Sequence, residues 1–306
     1  MARHSLGLLS LALGASVIAA CASDYKVHAD PDGNPAGDER EVDSADPEFD
    51  EEEEEEDTGE PNNVEEPDPD KPVAVCTVTP DKVRPLTGSA TWDGSESYDP
   101  NGLELIDHDW TLVALPSGST STMPSGDSIR SPFVADMAGN YVAELVVVNE
   151  DGVESEPCTT TLQAEPSEAL WVEMFWESAG DDMDLHLLAP GGTLESSTTD
   201  CYYATCAYSS LDWGSPGDPS DDPALDLDDI PGTGPENINI ESPEDDIYTV
   251  IVHDHTSQTF TAGNMVTVNV YLDGALEWTD SRLISGEDSY TRFARIDAAA
   301  GTVTGL

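Results

Sequence analysis

From Pro72 onward the chain consists of short apolar, β-branched runs separated by clusters of Gly, Ser, Asp and Pro, and this texture constrains the fold more than any other feature. The runs VAVCTVT (73–79), SATW (89–92), LIDHDWTLVA (105–114), YVAELVVVN (141–149) and TTTLQ (159–163) show no sustained 3.6-residue apolar period. Runs of this length broken by turn residues are the pattern of a β-sandwich. The pattern resumes at LWVEMFWE (170–177), where Trp171, Glu173 and Phe175 alternate with Val172, Met174 and Trp176, so apolar residues stand on both faces of one strand. Further strands are predicted at 225–228, 236–241, 247–254, 265–272, 276–283 and 290–296, with Asp273-Gly274 as a hairpin turn. The expectation is an all-β protein: an immunoglobulin-like sandwich at 72–165, a second, jelly-roll-like sandwich at 169–299, and a C-terminal tail at 300–306.

Residues 1–20 read as a signal peptide, since Arg3 and His4 precede an apolar run from Leu6 that is too short to cross a membrane. The run ends at Ile18-Ala19-Ala20-Cys21, which resembles a bacterial lipobox. That resemblance implies a diacylglyceryl thioether and an acylated amine on Cys21, and so stable anchoring through more than one chain. Ala22 is not the Asp that commonly retains lipoproteins at the inner membrane, which in a diderm host favours the outer membrane or cell surface as the place in the envelope. Residues 22–71, with the run Glu51–Glu56 and almost no large apolar side chains, cannot bury enough surface to offset their chain entropy. They are predicted to form a disordered acidic linker, so that 21–71 is a lipidated tether.

The chain carries 64 Asp+Glu against 10 Lys+Arg, a formal net charge of −54. Nucleic acid is excluded as a natural partner, because its phosphates would be repelled. The same charge favours cations and tolerates high salt. Of the five cysteines, setting Cys21 aside leaves Cys76, Cys158, Cys201 and Cys206, an even number in an exported protein. Four cysteines allow three connectivities. Cys76–Cys158 and Cys201–Cys206 is preferred because each pair falls inside one domain.

Two stretches resemble known families. Trp92-Asp93-Gly94-Ser95-Glu96-Ser97-Tyr98-Asp99-Pro100-Asn101-Gly102, then Asp107-His108-Asp109-Trp110 and Gly139-Asn140-Tyr141, are similar to a PKD domain. In the second half, Asp182-Met183-Asp184-Leu185-His186-Leu187, Asp226-Leu227-Asp228-Asp229, Gly234-Pro235-Glu236-Asn237-Ile238 and Tyr248-Thr249-Val250-Ile251-Val252-His253 resemble the YfaP-like domain of bacterial secreted proteins and lipoproteins. The first resemblance implies a sandwich with a Ser/Asp/Gly turn. The second implies a fold and a cell-envelope setting but no reaction.

Asp182, Asp184, Asp226, Asp228, Asp229, Glu236 and Asn237 form the candidate metal site: if their segments meet, their oxygens suit a six- to eight-coordinate Ca²⁺. Trp213, Tyr202 and Tyr203, beside the Cys201–Cys206 pair, are the candidate ligand-stacking aromatics. His186, His253 and His255 raise zinc, but no H-E-x-x-H helix accompanies them. No Gly-x-Ser-x-Gly elbow or phosphate-cradling loop is present, so no catalytic residue is assigned. The sequence therefore reads as a lipid-anchored, non-catalytic module that binds extracellular protein or polysaccharide, with calcium as a possible cofactor. The alternatives are an accessory or cryptic hydrolase of extracellular polymer and a purely structural surface spacer.

Overall fold

Strand alternation sets the architecture, and among the described residues the helix content is one four-residue turn, α1 (Tyr203–Cys206). The computed structural model describes residue Asp68 and residues 70–123, 128–207, 211–230, 232–256 and 262–306. The expected signal peptide, Cys21 and nearly all of the expected linker lie outside the described residues.

The first sandwich holds β1 (Thr77–Thr79), β2 (Lys82–Val83), β3 (Ser89–Asp93), β4 (Leu105–Ala114), β5 (Arg130–Val134), β6 (Gly139–Asn149) and β7 (Cys158–Ala164). They form a sheet β1-β3-β5 and a sheet β2-β7-β6-β4, antiparallel except for the β2–β7 pair. Alternate residues of β6, from Tyr141 to Val147, point inward and meet Trp92, Trp110 and Phe133. The rings pack tilted or edge-on, with Trp92 6.2 Å from Trp110 and Phe133 5.2 Å from Tyr141 between centroids. Disulfides join Cys76 to Cys158 and Cys201 to Cys206, the preferred pairing. The first ties the start of this sandwich to its last strand; closing a loop of 82 residues contributes about 4–5 kcal/mol in the chain-entropy account. At the Ser/Asp/Gly turn, Asp99 accepts from Asn101 N–H (2.8 Å) and Asn149 Nδ2 (2.9 Å), so its carboxylate is committed to holding the turn.

The second sandwich holds β8 (Leu170–Trp176), β9 (Met183–Leu188), β10 (Asp200–Cys201), β11 (Ala224–Leu227), β12 (Glu236–Ile240), β13 (Ile247–Asp254), β14 (Asn264–Leu272), β15 (Ala275–Ile284), β16 (Ser289–Asp297) and β17 (Thr302–Gly305). Two five-stranded antiparallel sheets, β10-β9-β13-β16-β17 and β11-β12-β8-β14-β15, enclose a core of Val, Leu, Ile and Met with Trp176 and Phe293. The Asp273-Gly274 turn joins β14 to β15 with both residues at positive φ, as a tight hairpin requires. Two departures from expectation have local causes. β5 reads poorly as a strand because Pro132 interrupts it, and it is accordingly an edge strand. Residues 300–306 are not a loose tail: Asp297 Oδ1 accepts from Ala300 N–H, Gly301 turns at φ +61°, and β17 then pairs along β16.

Both faces of β8 are buried, because its outer face is covered by the first sandwich. Trp171 packs with Ala138, Tyr271 and Leu86, and the Arg84 guanidinium lies 4.9 Å above its ring. Arg84 also pairs with Glu168 and Asp226, both at 2.6 Å. Gly118, at φ +86°, lies against Phe175 so closely that a Cβ would sit 2.3 Å from the ring. Next to Trp171, Glu173 is 1% exposed and accepts from Ala138 N–H at 2.9 Å. Burial outweighs that bond and those from Asn269 and Tyr271, and pushes its carboxyl from 4.5 up to about 7.

A carboxyl raised in this way binds more protons folded than unfolded, so folding stability falls as pH rises from about 4.5 to about 7 and stays reduced above it. Glu173→Gln is expected to be more stable than the parent at pH 8, by up to about 3 kcal/mol. In urea unfolding the gap should close as pH falls to about 4.5. A gap that does not change with pH would contradict the assignment.

Candidate functional site

The β10-β9-β13-β16-β17 sheet carries a polar cluster on the face away from the core. Met183, Leu185 and Leu187 point inward, so Asp184 and His186 point outward. Register places Asp184 opposite His253, and His253 opposite Tyr290. His253 stacks on Tyr290 at 4.1 Å between centroids, and His186 stacks on Tyr202 at 4.6 Å. Tyr203 stands edge-on to Tyr202 (5.2 Å) and to His255 (5.9 Å). The 200–206 segment, closed by the Cys201–Cys206 disulfide, holds both tyrosines over the sheet.

Carboxylates tie these rings down. His186 Nδ1 lies 2.9 Å from Asp200 Oδ2, while its buried Nε2 has no hydrogen-bond partner among the described residues. His253 sits between Asp184 and Asp288, each 3.3 Å away. Burial opposes the charged imidazolium of His253, but these two carboxylates outweigh it and hold its pKa above the ordinary value. His255 Nδ1 is 3.5 Å from Asp182 Oδ2. The histidine rings pack edge-on, His253 lying 5.9 Å from His186 and 5.5 Å from His255 between centroids, but each is partnered by a carboxylate, and among the described residues their nitrogens do not gather as a zinc triad does.

Oxygen atoms converge nearby. One carboxylate oxygen from each of Asp184, Asp228 and Glu236 lies within 4.8 Å of the others. Glu236 ends the inner face of β12 and reaches across to β9, where Leu185 N–H donates to its Oε2 at 2.7 Å. That amide is available because β10 pairs only with Leu187 and Leu188 of β9. Asp228 follows β11 directly, and the β11–β12 register brings it beside Glu236. Glu236 is 1% exposed, and among the described residues neither its Oε1 nor Oδ1 of the half-buried Asp228 has a donor to accept from. Burial, then Asp184 and Asp228, lift the Glu236 carboxyl well above its ordinary value, and burial lifts Asp228 too. Two carboxyls so placed need either a proton or a cation between them. Oxygen-only donors at such spacing fit a hard divalent cation such as Ca²⁺ better than a metal that prefers nitrogen or sulfur.

Of the seven residues proposed for this site, the structure brings three together. Asp182 is beside them on β9's approach, engaged with His255. Asp229 accepts from Gly234 N–H at 2.8 Å and shapes the turn that delivers Glu236. Asp226 and Asn237 are elsewhere: Asp226 pairs with Arg84, and Asn237, one residue out of phase with Glu236, donates to Val172 O on the opposite face of its sheet. The aromatic trio is also divided. Tyr202 and Tyr203 belong to the ring cluster, whereas Trp213 is 7% exposed, donates to Thr198 O and stacks on Tyr248. Asp200, Asp288 and Tyr290 were not singled out from sequence, because only the β10–β9 and β13–β16 registers give them their partners.

If Glu236 and Asp228 repel in the absence of metal, Glu236→Gln is expected to raise the melting temperature of chelator-treated protein at pH 8. It should abolish any rise that Ca²⁺ produces through this cluster. A Gln variant that melts lower than the parent in chelator would contradict this account.

No family model matches the chain, and no curated protein matches it. Among solved structures, one described as giving the structural basis for the promiscuous specificity of the carbohydrate-binding modules from the β-sandwich superfamily is similar. It is 10% identical, covering 71% of this chain and 100% of its own, with a TM-score of 0.28.

Proposed function

We propose that this chain is an exported, lipid-anchored, non-catalytic binding protein. Its second sandwich engages extracellular polysaccharide or protein beside a bound divalent cation, with calcium favoured. The observation that carries this reading is the convergence of Asp184, Asp228 and Glu236, with Asp184 paired to His253 in the ring cluster of Tyr202, Tyr203, Tyr290 and His255. Three carboxylates with only His253 as a basic partner suit a cation, and amphipathic rings beside them suit a sugar or a side chain. Two disulfides agree with folding in an oxidising compartment. Anchoring through Cys21 and placement at the outer membrane or cell surface remain part of the proposal.

The test is binding of the full chain to a glycan array and to envelope protein extracts, in Ca²⁺ and in EGTA. Tyr203→Ala and Asp228→Asn are each expected to weaken the captured interaction at least tenfold, as is EGTA. Binding that is indifferent to all three overturns the reading. Mass spectrometry should find Cys21 acylated; a free thiol removes the anchor.

One observation favours the hydrolase alternative: Asp200 orients His186 and leaves Nε2 without a partner. Hydrolysis of a polysaccharide or peptide panel that is lost in His186→Ala would establish it. No hydrolysis by the parent would dismiss it.

A further inference from the structure

We propose a second divalent-cation site, separate from the Asp184–Asp228–Glu236 cluster, where Asp221 and Glu244 meet over Gly214. The 211–222 loop is held by its own acidic side chains. Trp213 N–H donates to Asp222 Oδ1 (2.7 Å), Gly217 N–H to Asp212 Oδ1 (2.9 Å) and Ser215 N–H to Asp221 Oδ2 (2.6 Å). Ser242 N–H donates to Ser220 O at 2.7 Å and joins this loop to the turn that carries Glu244. These bonds account for one oxygen of Asp221. The other, Oδ1, is buried and has no donor, although Asp221 is only 5% exposed.

Asp221 lines a 350 Å³ cavity together with Ser215, Asp218, Ser242, Glu244 and Asp245, and none of the described residues that line it is Lys, Arg or His. Gly214 makes the approach of the two carboxylates possible. At φ +57° it has no side chain, and the place where a Cβ would stand is 2.5 Å from Asp221 Oδ2 and 2.7 Å from Glu244 Oε1. Asp221 Oδ2, which also accepts from Ser215, and Glu244 Oε1 come from separate loops to the same side of Gly214, Asp221 keeps a buried Oδ1 with no donor among the described residues, and apart from Pro243 the rest of the lining offers hydroxyls and carboxylates. This donor set is all oxygen, with anionic and neutral members, and matches calcium rather than zinc or copper. A cation here would fasten the loop bearing Trp213 to the 241–246 turn. The neighbouring 460 Å³ cavity, walled by Trp213, Tyr248 and Pro190, lies between those same elements. The cation would therefore set the width of that cavity.

Calorimetric titration of the full chain with Ca²⁺ alone, after chelator treatment, tests the site. Glu244→Gln is the decisive variant, since Glu244 is exposed and its structural contact is made by its backbone N–H to the Tyr248 hydroxyl (3.0 Å). It is expected to lose one equivalent of bound Ca²⁺, or to bind that equivalent at least tenfold more weakly. Asp221→Asn should do the same while keeping an acceptor for Ser215. Glu236→Gln should leave this equivalent in place, so failure of the first cluster and failure of this one read differently. The proposal is overturned if Glu244→Gln titrates like the parent, or if the parent binds no Ca²⁺ beyond what Glu236→Gln removes.

Discussion

The structure depends on β8, a strand that is buried on both faces. One face, with Leu170, Val172, Met174 and Trp176, forms the core of the second sandwich. The other, with Trp171, Glu173 and Phe175, is sealed by Ala138, Arg84 and Gly118 of the first. Dispersion and burial of two large rings hold this junction, and Arg84 adds cation–π and ion-pair contacts at its edge. In a chain with a formal charge of −54, a guanidinium serving two carboxylates and an indole is a scarce resource. Glu173 is a polar group in an otherwise apolar contact; burial raises its pKa, and its acceptor role toward Ala138 N–H aligns the two sandwiches.

The polar end of the second sandwich, where β9 and β12 begin and β11 and β13 end, follows from an opposite arrangement. There, strand ends bring carboxylates together with only imidazoles, His253 between Asp184 and Asp288 and His255 beside Asp182, to offset their charge, and the cost falls on their protonation. Asp254, 3% exposed, is pushed up to about 6 by burial and by Asp181 and Glu287, and burial lifts Glu236 well above its ordinary value. Clusters of this kind are stable with protons or cations between the carboxylates and strained without them. That constraint comes from the geometry of these strands and not from the overall acidity of the chain.

The all-β class, most strand positions and the cysteine pairing were legible in the sequence. β-branched runs, turn residues and even cysteine numbers act locally or through simple parity. The site was partly legible: Asp184, Asp228 and Glu236 all stood among the candidates, but so did Asp226 and Asn237. The composition of an acidic chain cannot separate them. Strand parity can, once register is known, because Glu236 points into the sandwich and Asn237 points out. The stacking role expected of Trp213 together with Tyr202 and Tyr203 divided for a similar reason, as Trp213 finds its stacking partner in Tyr248.

What the sequence determined by itself was the alternation of inward and outward side chains, the turns and the excess of negative charge, all properties of neighbouring residues. Only the tertiary structure decided which carboxylates meet. Asp184, Asp228 and Glu236 come from three strands or their ends, and Asp221 and Glu244 from two loops. Their encounters are set by cross-strand register and by loop closure over a glycine, and neither is encoded in any single stretch of chain.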